Sequence, residues 1–250
     1  MQAAKRNGGR IALKVDLLRV AGAGTNLAVL HYEARRPRGI TLVAGHGYSS
    51  SKQNLDFLCG FLAGHGFEIY SLDFPGHKLG ASGGTLDSDE RLIESMHAVV
   101  EHAREHSSDA VYTMGHSMGA MTALRTAAFD DAISGVISIA TGYGRPTALA
   151  SLQGISKNDF RSSYVDGLSL PELIAGTDAA LDNALAKLAG RPALYIAAAR
   201  DMMVNEKSVR ALFDRAPEPK TFAAIASDHT TAADNARSEV LGWLNTLHPR

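Results

Sequence analysis

Short apolar runs recur along the chain at residues 40–44, 67–72, 110–114, 135–140, 193–199 and 221–226. They are apolar almost throughout rather than alternating, which is the pattern of strands covered on both faces of a parallel sheet. Between them, helix-length stretches predict helices over 54–63, 88–105, 118–129, 207–214 and 231–247. Strands alternating with helices predict a doubly wound α/β domain. Upstream, residues 11–20 and 25–34 read as two strands joined by Ala21-Gly22-Ala23-Gly24, an antiparallel hairpin. No internal repeat or low-complexity tract interrupts this order.

One interval breaks the rhythm. From Gly144 to Gly190, 47 residues separate two strand segments, far more than a usual crossover loop. Its apolar positions, among them Leu149, Leu152, Ile155, Phe160, Leu168, Leu173, Ile174 and Leu181, are scattered among polar ones. Either a lid over a functional site or one or two extra packing helices fits that pattern. Its four basic and five acidic side chains nearly balance, so it points to no strongly charged substrate.

Composition narrows the class. The 250 residues suit one domain, 1–250, with 144–190 as a cap or lid insertion. A hydrophobic share of 45% and a charged share of 20% exclude a disordered or fibrous chain. The net charge of −1 gives no field to recruit nucleic acid or an anionic membrane. The single cysteine, Cys59, cannot form an internal disulfide, which fits a reducing compartment. Lys5, Arg6 and Arg10 are not followed by an apolar region, and no long uncharged apolar run occurs. A cytoplasmic protein without integral membrane association is expected, and its oligomeric state stays open.

The chemistry concentrates at Gly115-His116-Ser117-Met118-Gly119, between the strand at 110–114 and the helix at 118–129. A serine at such a strand-to-helix turn is strained and exposed at the carboxyl edge of the sheet, and the two glycines make room for the turn. A serine also needs a base. Of the ten histidines, His229 in Ser227-Asp228-His229-Thr230 follows the last strand and so falls at the same edge. His116 adjoins the nucleophile, but its side chain leaves the turn in another direction and is expected to pack. His102 and His106 have metal-compatible spacing without further ligands, so no metal is assigned. The base needs a carboxylate to fix its tautomer, and Asp201 ends the strand at 193–199. Asp228 is its rival, but it would have to fold back on its own backbone to reach the ring.

The order Ser117, Asp201, His229, with spacings of 84 and 28 residues, is that of the α/β-hydrolases. The oxyanion formed on attack needs two aimed N–H donors. Met118 N–H supplies one, and the loop Gly45-His46-Gly47-Tyr48-Ser49-Ser50-Ser51 offers the other, expected from Tyr48. His46, His77, Tyr143, Leu152, Ile155 and Phe160 are expected to line the substrate site.

From about Thr25 onward the chain resembles the α/β-hydrolase superfamily, in particular the serine hydrolases that include monoacylglycerol lipases, lysophospholipases and serine aminopeptidase-like proteins. The segment ending Asp73-Phe74-Pro75-Gly76-His77 is similar to the family's Asp-x-x-Gly-His turn, although the usual closing Gly and Ser are delayed to Gly80 and Ser82. Ala120 replaces a common second glycine after the elbow, and Asn205 stands where a proline often follows the acid. The resemblance implies an α/β-hydrolase fold: a mostly parallel central sheet, helices on both faces, and a small helical cap before the strand carrying the acid. It implies cleavage of a small-molecule carboxylic ester or thioester through an acyl-enzyme, with no cofactor. The same triad also supports acyl transfer, carbon–carbon bond hydrolysis or cyclisation, and a non-catalytic binding protein on this scaffold is the reading from another class.

Overall fold

The structure, a computed structural model, describes residues 13–107, 109–144 and 160–249. Eight strands form one sheet: β1 Val15–Gly22, β2 Thr25–Tyr32, β3 Ile40–Gly45, β4 Glu68–Leu72, β5 Ala110–His116, β6 Gly135–Ile139, β7 Ala193–Ala198 and β8 Lys220–Ile225. Their spatial order is β1-β2-β4-β3-β5-β6-β7-β8. The β1–β2 and β2–β4 pairs are antiparallel and the other five are parallel. The sequence-predicted hairpin turns on Ala23 and Gly24, both in the left-handed region (φ 49° and 67°), as a two-residue connection matched to strand twist requires.

The continuous apolar runs have the expected cause. Along β7, Tyr195 and Ala197 face one core layer while Leu194, Ile196 and Ala198 face the other. On the second face lie α1 (Asp56–Gly64), α7 (Ala232–Asn235) and α8 (Arg237–Leu247). On the first lie α2 (Glu90–Ser107), α3 (Met118–Phe129), α5 (Thr177–Leu185) and α6 (Glu206–Arg215). The helix predicted over 54–63 opens with a 3-10 turn, Lys52–Leu55. That predicted over 231–247 is broken at Ala236, where Asn235 is drawn back to the preceding loop by a hydrogen bond to Ser227 Oγ (2.9 Å).

The described part of the long interval contains a 3-10 turn (Phe160–Tyr164), α4 (Leu170–Ala175) and α5. A capping box between Ser169 and Glu172 starts α4. Leu173, Leu181 and Leu185 join the core beside α3, so this stretch packs as helices. Residues 160–169 instead cross the carboxyl edge, where short bridges pair Val165 with His77 and Gly167 with Leu86.

Close approach fixes the central helix. A Cβ on Gly119, in the first turn of α3, would lie 2.0 Å from the Gly45 carbonyl oxygen and 2.7 Å from that of His46. Gly119→Ala must therefore push α3 off β3, an overpacking cost of about 1–3 kcal/mol. Gly242, exposed in α8, has nothing within 4 Å, and Gly242→Ala should gain up to about 1 kcal/mol from helix propensity. Thermal melting should show the first variant lower by several degrees and the second slightly higher. Equal melting temperatures would contradict the contact.

Candidate active site

Ser117 sits between the last residue of β5 and the first of α3 with φ 54° and ψ −113°. An L-residue held there costs on the order of 1–3 kcal/mol, so the surroundings must over-determine it. Its N–H donates to the Ile139 carbonyl at the end of β6 (2.8 Å), and its carbonyl accepts from Ala120 and Met121 in α3 (3.1 and 3.2 Å). A Cβ on Gly115 would lie 2.2 Å from the Gly119 carbonyl carbon, so both elbow glycines are sterically required.

His229 and Asp201 converge on this serine from the loops after β8 and β7. The Ser117 hydroxyl lies 3.1 Å from His229 Nε2, and His229 Nδ1 lies 2.6 Å from Asp201 Oδ2. An Nδ1–H donated to the carboxylate leaves the Nε2 lone pair facing the hydroxyl. All three residues are buried. Burial alone would raise the Asp201 pKa. The hydrogen bond from His229 and those from the Val204 and Met203 N–H groups (2.7 Å each) outweigh it and hold the carboxyl below its usual range. Asn205, which stands where a proline often follows the acid, caps α6 by accepting from Ser208 N–H (3.0 Å). Asp228 does not reach the ring. Its Oδ1 accepts from Thr231 N–H and from the Thr230 and Thr231 hydroxyls (2.9 Å each), closing the loop that carries His229.

The loop after β3 passes over the elbow: a Cβ on Gly47 would be 3.5 Å from Ser117 Cβ. Behind that loop lies a buried polar knot that the sequence pattern does not announce. Lys52, in the 3-10 turn, gives both its N–H (2.8 Å) and its ammonium (2.5 Å) to Asp73. Asp73 also accepts from Ala81 N–H (2.7 Å), and Ser82 Oγ bonds its carbonyl (2.7 Å). The delayed Gly80 and Ser82 thus still close around the strand-end acid. An acid directly after an apolar strand was the available signal. Nothing in the polar run 49–54 marks its lysine as buried.

The expected lining residues divide. His46 is fully buried and does not face substrate space: Nδ1–H donates to Gly47 O (2.8 Å) and Nε2 accepts from Phe74 N–H (3.1 Å). His77 is 2% exposed, donates through Nδ1 to Pro75 O (3.1 Å), and packs edge-on against His46 and Tyr48. Tyr143 turns to α5 and α6, with its hydroxyl on Asp182 (2.7 Å) and its ring under the Arg215 guanidinium. Phe160 is 71% exposed and meets Tyr164 edge-on. Leu152 and Ile155 lie outside the described residues.

A cavity of about 190 Å³ does open on Ser117 and His229, walled by Tyr48, His116, Arg161 and Met203 among others. The Tyr48 hydroxyl ties it to the crossing segment through Leu168 O (2.9 Å). His116, expected only to pack, therefore lines the site. As a metal centre the best grouping among the described residues is His97, Glu101 and Asp130, but Arg104 already bonds both carboxylates (2.6 and 2.5 Å).

Burial, reinforced by the neighbouring His77, pushes the His46 pKa down to about 3. An unfolded histidine takes its proton near pH 6.5. Between those values the unfolded chain binds a proton that the folded chain refuses, so stability must fall as pH drops below about 6.5. His46→Gln can still accept from Phe74 without titrating. Melting curves from pH 7.5 to 4.5 should show a shallower fall for this variant than for the unsubstituted protein. Parallel curves would contradict the assignment.

No curated relative matches the sequence. Solved structures do match in fold. The Pyrococcus furiosus esterase Pf2001 is similar with a TM-score of 0.71 and 16% identity, over 94% of this chain and 89% of that one. GrgF, an α/β-hydrolase from Penicillium sp. sh18, gives 0.72 and 17%, over 94% and 98%. Est1E from Butyrivibrio proteoclasticus gives 0.70 and 15%, over 92% and 96%. Identities this low speak for the fold alone. The profile of the serine aminopeptidase S33 family matches residues 35–173, more than half of the chain. The protein belongs to that family of α/β-hydrolases.

Proposed function

We propose that the protein is a serine hydrolase that cleaves a small carboxylic ester or thioester through an acyl-enzyme. The observation that carries this reading is the buried relay Asp201–His229–Ser117, with contacts of 2.6 and 3.1 Å, at the wall of an open cavity. In this mechanism Ser117 Oγ attacks the acyl carbonyl while His229 Nε2 takes its proton. Asp201 holds the imidazole in the Nδ1–H tautomer and stabilises the imidazolium. The developing oxyanion is received by the backbone N–H of Met118, among the first in α3 and so without an intrahelical acceptor, and by that of Tyr48. His229 then returns the proton to the leaving group. A water activated by the same nitrogen releases the acid and regenerates the serine.

Support for an ester over other acyl bonds comes from the naming of the similar Pf2001 as an esterase. The segment 144–190 serves in this reading as a cap, joined to the oxyanion loop through Tyr48 and Leu168.

Kinetics on one p-nitrophenyl ester test the roles. Ser117→Ala should lower kcat by about 10⁴–10⁶ while leaving the fold intact. Asp201→Asn should cost about 10²–10⁴, since an amide can favour the wrong tautomer. Asp228→Asn should cost less than about tenfold, because its contacts are to the loop and not the ring. A crippled Asp228→Asn beside a near-normal Asp201→Asn would reverse the acid assignment. Substantial turnover by Ser117→Ala would remove the nucleophile.

A further inference from the structure

His116 has a use beyond packing. Its Nε2 lies 2.8 Å from the backbone carbonyl of His229, so that nitrogen must carry the proton and donate it. The two rings stand 4.8 Å apart at 50°, so a second positive charge beside the base is disfavoured. Burial and His229 together push the His116 pKa down to about 4, which keeps the ring neutral at ordinary pH. A neutral imidazole with its proton on Nε2 leaves a lone pair on Nδ1.

That lone pair has a definite address. Among the described residues no group donates to Nδ1, and the atom is not among the buried polar atoms lacking a partner. The ring is only partly buried, and it walls the same cavity as Ser117. Gly47 lies on its Nδ1 side: a Cβ built there would be 3.3 Å from that nitrogen and 3.5 Å from Ser117 Cβ. Ser49, Ser50, Asn54 and Thr230 bring polar groups to this cavity, alongside the apolar Leu55, Leu170, Met203 and Ala233. An acceptor on the cavity wall beside the nucleophile is placed to meet a donor on the substrate.

We infer that His116 is a specificity-determining residue whose Nδ1 accepts a hydrogen bond from a hydroxyl or N–H carried by the leaving group of the substrate. This deepens, and rests on, the serine-hydrolase reading of the same site. The preferred substrates are esters of hydroxylated or amide-bearing alcohols over esters of plain alkyl alcohols of the same size. The Nε2–H bond to His229 O fixes the ring so that the lone pair is presented without reorganisation.

The experiment compares two esters matched in size and acyl group, 2-hydroxyethyl butyrate and n-propyl butyrate. The readout is the ratio of their kcat/KM values within each enzyme. One neutral hydrogen bond corresponds to a preference of about tenfold for the hydroxyl ester. His116→Gln can keep a donor to the His229 carbonyl but has no acceptor at the Nδ1 position, and its ratio should collapse towards one. His116→Leu, which removes both nitrogens, should show the same collapse and serves if the glutamine variant does not fold. A ratio near one in the unsubstituted enzyme overturns the inference, as does a ratio that survives both substitutions. If both esters are cleaved in a Ser117-dependent way without discrimination, only the role of His116 fails. If neither is cleaved through Ser117, the hydrolase reading fails with it.

Discussion

The contact between two stretches of backbone, Gly119 at the start of α3 and the Gly45-His46 carbonyls at the end of β3, sets the geometry on which the site depends. With no side chain at Gly119, the helix settles where a Cβ would be 2.0 Å from Gly45 O. The turn at Ser117, held at φ 54°, lies under the loop that follows β3. The local strain is offset by hydrogen bonds to β6 and α3 and by the nearly complete burial of α3. Fold and chemistry are thus linked through one steric requirement.

Electrostatics completes what sterics begins. Two buried carboxylates sit at strand ends on either side of the elbow, each fully occupied. Asp201 takes the His229 ring and two backbone N–H groups, so its charge is directed at the imidazole. Asp73 takes Lys52 and two backbone N–H groups, and so pins the loop after β3 from behind. Removing one partner of such a buried pair typically costs about 3–5 kcal/mol, because the other charge is left unpaired. Lys52 and Asp73 never touch the cavity at Ser117, yet they hold the segment that covers it. His46 and His116 stay neutral between these charges, which lets both act as fixed, directional hydrogen-bonding groups.

Much of this was legible in the residues. Uninterrupted apolar runs such as 110–114 and 193–199 identify buried parallel strands because both faces must be covered, and a serine, an acid and a histidine at their carboxyl ends share one edge by topology. The elbow glycines announce themselves because only a tight turn requires them at that spacing. The polar residues behind the site were harder to read. His46 and His77 lie on carboxyl-edge loops, which reads as a lining position, but both rings are buried: His46 turns its two nitrogens to Gly47 and Phe74, and His77 gives Nδ1 to Pro75. Side-chain direction on a loop is set by tertiary hydrogen bonds, which have no period in the sequence. For the same reason the burial of Lys52 and the exposure of His116 to the cavity left no trace in the pattern. Phe160 failed differently: an aromatic within a cap reads as a pocket wall, yet here it meets Tyr164 on the outside.

The proposed chemistry rests on Ser117, in its strained turn and in contact with His229, as the acylated nucleophile. A fluorophosphonate ester reports this directly, because it phosphonylates an activated serine and the adduct is located by peptide mass spectrometry. At neutral pH one equivalent should be taken up on the peptide containing Ser117, and Ser117→Ala should take up none at any serine. Phosphonylation at another residue, such as Ser49 or Ser50 in the same cavity, or no uptake by the folded protein, would contradict the account.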